Sequence, residues 1–129
     1  MTTKSVCSVN HIDHVGVAVK DIDEALKFFQ EVFGAPAAEI QSLPDQGVRA
    51  TLIEVGQTWL ELLEPLSDDS PVGRFIERRG EGLHHLALNV SGLAGTLNKL
   101  EEHGLGLVDR AHREGSSGIM AYLSARCTV

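Results

Sequence analysis

Two histidine-led strand patterns stand 71 residues apart in this chain, His14-Val-Gly-Val-Ala-Val19 and His85-Leu-Ala-Leu-Asn-Val90. The histidine, the small residue two positions on and the alternating apolar residues all coincide. The register then continues: Ile22 falls on Leu93, Leu26 on Leu97, Phe29 on Leu100 and Glu31 on Glu102. Gly34 and Gly104 punctuate both copies, with one residue lost between them. Self-similarity of this kind marks one supersecondary unit used twice, so the fold must be built from paired modules.

Each copy begins as a strand. Over 12–19, Val15, Val17 and Val19 share one face, with His14, Gly16 and Ala18 on the other; over 83–90, Leu86, Leu88 and Val90 lie opposite His85, Ala87 and Asn89. A helix follows each strand. Asp21 can cap the first, with Glu24 as its capping-box partner and Ile22, Ala25, Leu26 and Phe29 as its apolar stripe. The second helix is expected over about 92–103, on Leu93, Leu97 and Leu100. Strand-like segments then run near 36–41, 47–55 and 58–64, the last two joined at Gly56-Gln57 as a hairpin. Ser70-Pro71 starts a connecting helix through about Arg79, closed by Gly80-Glu81-Gly82. In the second copy, strands are expected near 105–109 and 118–124. The fold class is α+β: one domain of paired βαβββ modules over 1–129, module one about 10–66, the connecting helix about 70–79 and module two about 83–129.

The small residues carry functional meaning. On both first strands the histidine shares its face with Gly or Ala, and the bulky face must pack on the helices, so the histidine face is expected to have room. A strand histidine by itself is most simply a hydrogen-bonded core residue. Two at equivalent positions of a repeat, both looking into open space, point to a common centre, and neutral imidazole is the commonest protein metal ligand. Glu61, inside Trp59-Leu-Glu-Leu-Leu63, is the third candidate. A carboxylate among apolar strand residues carries a heavy desolvation cost that a metal ion removes; the alternative is an edge-strand Glu reaching solvent. Alternation turns His84 away from His85, so it is not counted, and His11, His103 and His112 are expected at the surface. Repetition also demands a mate for Glu61 in the second module, 71 residues further on. That position falls beyond Val129, so the second module is expected to lack its last strand.

With 43% hydrophobic and 22% charged residues the composition is that of a soluble globular protein. No apolar run is long enough to span a bilayer, and MTTKSVCSVN has no secretory apolar stretch. Two cysteines, Cys7 and Cys127, make no disulfide framework, so a reducing, cytoplasmic setting is expected. A net charge of −7 argues against nucleic acid or an anionic membrane as partner. Arg74, Arg78 and Arg79 form the one dense basic group, most simply a solvated helix face.

Several segments resemble methylmalonyl-CoA epimerases of the vicinal oxygen chelate superfamily. They are Ile12-Asp-His-Val-Gly-Val-Ala-Val19, Gln46-Gly-Val-Arg49, and Glu61-Leu-Leu-Glu-Pro-Leu-Ser-Asp-Asp-Ser-Pro71 running into Arg79-Gly-Glu-Gly-Leu-His-His-Leu86. The resemblance covers about residues 10–124. It implies metal ligands at His14, Glu61 and His85, with a fourth, a Glu on the final strand, beyond this chain. The resemblance also implies a catalytic role for Glu61 beside ligation, and for the fourth Glu a role as ligand and as one of the two bases. Some members carry a proton-transferring Glu just after the Gln-Gly-Val-Arg segment, where this chain has Ala50.

The implied activity is epimerisation of a small acyl-CoA substrate, methylmalonyl-CoA, by α-proton abstraction. A divalent ion (Co, Mn, Ni or Zn) would stabilise the enolate. The alternatives are a non-catalytic small-molecule-binding member of the superfamily and a glyoxalase-like lyase or isomerase. The unpaired sheet edge left by a missing last strand also leads to an expected homodimer, in a simple or strand-swapped form.

Overall fold

The computed structural model describes residues 8–92, 95, 98–99, 102, 113–115 and 118–120. The chain divides into two compact units, residues 11–88 and the terminal segments 1–10 with 89–129. Along the chain run β1 (Val9–Ala18), α1 (Ile22–Phe33), β2 (Gln41–Leu43), a 3-10 turn (Pro44–Gln46), β3 (Val48–Val55) and β4 (Thr58–Pro65). Then come α2 (Pro71–Arg79), β5 (Gly82–Val90), β6 (Arg113–Gly115) and β7 (Gly118–Met120).

Both helices of the 11–88 unit start where their capping residues dictate. Asp21 is extended and accepts from the Glu24 amide, satisfying a donor that the first turn leaves open. Gly34 ends α1 in the left-handed conformation at φ 68°, which an L side chain rarely adopts. Ser70 accepts from the Gly73 amide, and Pro71 sits in the first turn of α2, where its missing N–H costs nothing. Glu64 reinforces the start of α1 from the sheet. It accepts from the Ile22 amide at 2.9 Å through one oxygen and from Arg49 Nη1 at 2.9 Å through the other.

The five-stranded sheet runs β2-β3-β4-β1-β5. β3 and β4 form the expected hairpin, and β1 lies parallel to β4 with Gly16 opposite Glu61 and Ala18 opposite Leu63. The bulky face packs as expected: Val17, Val19, Leu62 and Ile53 close on Ile22 and Leu26 of α1. Burying each of these aliphatic side chains stabilises the fold by about 1.5–3 kcal/mol.

The other face departs from expectation, because it is covered rather than roomy. Ala18, Val48, Ala50 and Leu63 pack with Val72 under α2, where Phe75 and Ile76 complete the cluster. The small residues serve close packing there. Above Gly16 the space is taken by the His85 ring, which a Cβ at this position would overlap.

β2 also lies later than the 36–41 segment. Pro36 has no amide to give a ladder, Ala35, Ala38 and Ile40 pack into the α1 cluster, and the Glu39 carbonyl accepts from the Thr51 hydroxyl at 2.9 Å. Apolar content there reports core contact rather than strand pairing.

In the other unit, β6 and β7 pair antiparallel with Gly115 opposite Gly118. Gly95, Asn98, Lys99 and Glu102 are helical, within the second helix expected from the repeat. The segment near 105–109, Gly104, residues 121–124, Cys7, Cys127, His103 and His112 lie outside the described residues.

Candidate metal centre

The sheet order sets β4, β1 and β5 side by side. Glu61, His14 and His85 stand on these three neighbouring strands. His14 and Glu61 are 2% and 4% exposed, while His85, on the outer strand, keeps 27% of its side chain exposed. Because β4 is flanked by β3 and β1, Glu61 is not an edge residue reaching solvent. His14 Nε2 lies 3.1 Å from His85 Nε2. Glu61 Oε1 lies 3.6 Å from the first and 3.5 Å from the second. One ligand atom from each residue thus falls within 4.8 Å of the others. Spacings of this size suit neighbouring ligands of one ion with bonds of about 2.0–2.2 Å. The donor set of two imidazoles and a carboxylate suits a first-row divalent metal.

A family model described as Glyoxalase/Bleomycin resistance protein/Dioxygenase superfamily matches residues 13–122. This chain belongs to that superfamily. Its fold is the vicinal oxygen chelate fold, and the resemblance to methylmalonyl-CoA epimerases is borne out among its relatives. The mouse mitochondrial methylmalonyl-CoA epimerase is 34% identical over 98 residues, which cover 75% of this chain and 55% of the mouse protein. The chain therefore spans about half the length of that relative. The Bacillus subtilis (strain 168) protein YqjC, named as uncharacterized, is 37% identical over 121 residues, covering 93% of this chain and 86% of the relative. Among solved structures, a methylmalonyl-CoA epimerase in complex with methylmalonyl-CoA and NH4+ superposes with a TM-score of 0.87 at 29% identity. That match covers 94% of this chain and 90% of the other.

Around the two repeat histidines, the structure adds two residues that strand alternation did not identify. Asp13 Oδ2 accepts from His14 Nδ1 at 2.8 Å. His84, expected to face away, turns its ring back so that its Nδ1 lies 2.9 Å from His85 Nδ1. Alternation fixes where a Cβ points, and the two χ angles of a histidine carry the ring well beyond it. Phe75 of α2 holds the His84 ring edge-to-face, with centroids 4.9 Å apart. Burial lowers the His84 pKa from its ordinary 6.5, helped by the neighbouring His85 and opposed by Glu61. The signal that could have found both residues is adjacency: each directly precedes one of the repeat histidines.

Other candidates stay outside the centre. Ala50 is buried in the α2 cluster, so no carboxylate stands where some relatives are expected to carry one. Arg49 pairs with Glu64 and, at 3.5 Å, with Asp23, ties that keep it firmly protonated. Arg74, Arg78 and Arg79 are exposed on α2, with Arg78 Nε donating to the Arg74 carbonyl at 3.4 Å, as a solvated helix face would be. His11 is half-buried on β1 rather than a surface residue. Among the described residues no helix is long and apolar enough to cross a membrane.

Proposed function

We propose that this chain epimerises a 2-methylmalonyl-type acyl-CoA at a divalent metal held by His14, Glu61 and His85. The convergence of two imidazole Nε2 atoms and one buried carboxylate oxygen carries the reading. Similarity to methylmalonyl-CoA epimerases, one of them in complex with methylmalonyl-CoA, supports the substrate class. When bound, the ion supplies Lewis-acid stabilisation of the enolate oxygen.

The chain's own residues do the rest. His14 and His85 bring their Nε2 atoms within 3.1 Å of each other from the neighbouring strands β1 and β5. Glu61 faces both through Oε1, and we assign its Oε2 as the proton acceptor. The α-carbon C–H bond breaks, the proton passes to Glu61, and the electron pair spreads into the thioester carbonyl as an enolate. Return of a proton to the opposite face of the same carbon gives the epimer, and a second donor is required on that face. Cobalt, manganese, nickel and zinc all suit the donor set.

Ala50 favours a second reading, a superfamily protein that binds a small molecule at this centre without turnover. It removes one acid-base group that the family resemblance implies. The discriminating experiment is solvent exchange: incubate the metal-free protein with methylmalonyl-CoA in D2O, with and without Co2+. Deuterium at the α-carbon only with Co2+ supports the epimerase. Metal uptake with no exchange refutes it and leaves the binding protein.

A further inference from the structure

The repeat that places His14 and His85 also places a partner behind each of them. Asp13 and His84 are one residue upstream, at the same 71-residue shift as the histidines themselves. Each meets the Nδ1 of its neighbour, Asp13 at 2.8 Å and His84 at 2.9 Å. Asp13 has only acceptor oxygens when ionised, so the proton between Asp13 and His14 belongs to His14 Nδ1. His84 can serve His85 in the same way when its own proton sits on Nε2, leaving Nδ1 as acceptor.

We infer that Asp13 and His84 are matched positioning residues that lock both repeat histidines with the proton on Nδ1 and the lone pair of Nε2 aimed at Glu61. The inference rests on the metal reading for its purpose. With both histidines so fixed, the three converging atoms are all acceptors, a set that suits a cation. Free imidazole prefers its proton on Nε2, so this orientation has to be imposed. The two devices are unequal. A carboxylate acceptor makes a charge-assisted bond, about twice as strong as the neutral imidazole–imidazole bond. His14 is therefore the more tightly held ligand, and His85 the one more easily reoriented.

The test uses the full chain labelled with 15N histidine, read by long-range proton–nitrogen correlation without metal above the histidine titration range. Co2+ affinity is measured in parallel by calorimetry. In the parent protein, Nδ1 of both His14 and His85 is expected protonated, and Nδ1 of His84 bare. Asp13→Ala should move the His14 proton to Nε2 and weaken Co2+ binding about 10–100-fold. His84→Ala should do the same at His85 with a smaller loss. Asp13→Asn and His84→Asn keep an acceptor oxygen near the same place, and each should restore its neighbour's tautomer.

These variants also separate positioning from misfolding, because Asp13→Asn is isosteric and His84→Asn keeps an acceptor beside His85 Nδ1 while giving up the ring contact with Phe75. A parent protein with bare Nδ1 on either repeat histidine overturns the inference. So do Ala variants whose tautomers and Co2+ affinity match the parent. A parent protein that shows the expected tautomers but takes up no Co2+ refutes the metal reading, while the orienting role of Asp13 and His84 stands on the spectra.

Discussion

Gly16→Ala isolates the centre from the stability of the fold. Gly16 lies on β1 opposite Glu61, and the added Cβ would overlap the Cε1, Nδ1 and Nε2 atoms of His85. Two responses are open. A rigid neighbour would leave overpacking strain of about 1–3 kcal/mol. His85, however, is a flexible side chain on the outer strand, 27% exposed, so its ring can swing toward solvent at little cost. Replacing a strand glycine by alanine also returns about 0.5–1 kcal/mol through the unfolded chain. The net change in unfolding free energy is therefore expected within about 1 kcal/mol of zero.

Ligand geometry takes the damage instead. With His85 displaced, metal affinity should fall at least as far as loss of an outer partner would cause, about 10–100-fold or 1.4–2.8 kcal/mol. Calorimetric Co2+ titration and thermal melts of Gly16→Ala, His85→Ala and the double variant give the full cycle. The second substitution should add almost nothing to the loss from the first, since both remove the same ligand. Parent-like Co2+ affinity in Gly16→Ala, or additive losses in the double variant, would show that the His85 seat over Gly16 is not what forms the centre.

Two further outcomes follow from packing and charge. Leu62 is 0% exposed between the sheet and α1, so Leu62→Ala should cost about 2–5 kcal/mol in chemical denaturation; a smaller loss would mean that the α1 cluster is not closed. The His84 pKa is lowered in the folded state, so the native chain holds fewer protons at that site than the unfolded one. Its contribution to stability is present above about pH 6.5 and is lost as pH falls through the depressed folded value. In metal-free protein, the parent should therefore lose stability relative to His84→Asn between about pH 7 and pH 5. Parallel pH profiles for the two proteins would contradict this.

Much of the framework was legible because it is written in local chemistry. Asp21 with Glu24 and Ser70 with Pro71 fix helix starts through satisfied amides, and the Gly56-Gln57 turn fixes the β3–β4 hairpin. The shift of 71 singles out His14 and His85, whose Nε2 atoms lie 3.1 Å apart. What failed was inference about empty space. Alternation assigned Gly16 and Ala18 to a face correctly, but could not say that α2 closes over one end and the His85 ring over the other. The position of β2 failed for a related reason: Ala35, Ala38 and Ile40 are as apolar as strand residues, yet their neighbour Glu39 gives its carbonyl to a side chain. His84 was set aside because strand periodicity describes Cβ directions and is silent about rings.

The three candidate ligands lie on three separate strands, and Glu61 stands 47 positions after His14. No local segment of the unfolded chain can hold them at these distances. An ion held by all three would therefore bind the folded form in preference to the unfolded one, and that difference in affinity would become folding free energy by mass action. A free ion at a hundred times its dissociation constant would add about 2.7 kcal/mol to the native state. In a domain whose total margin is about 5–15 kcal/mol, metal supply would then govern how much folded protein there is as well as how much works.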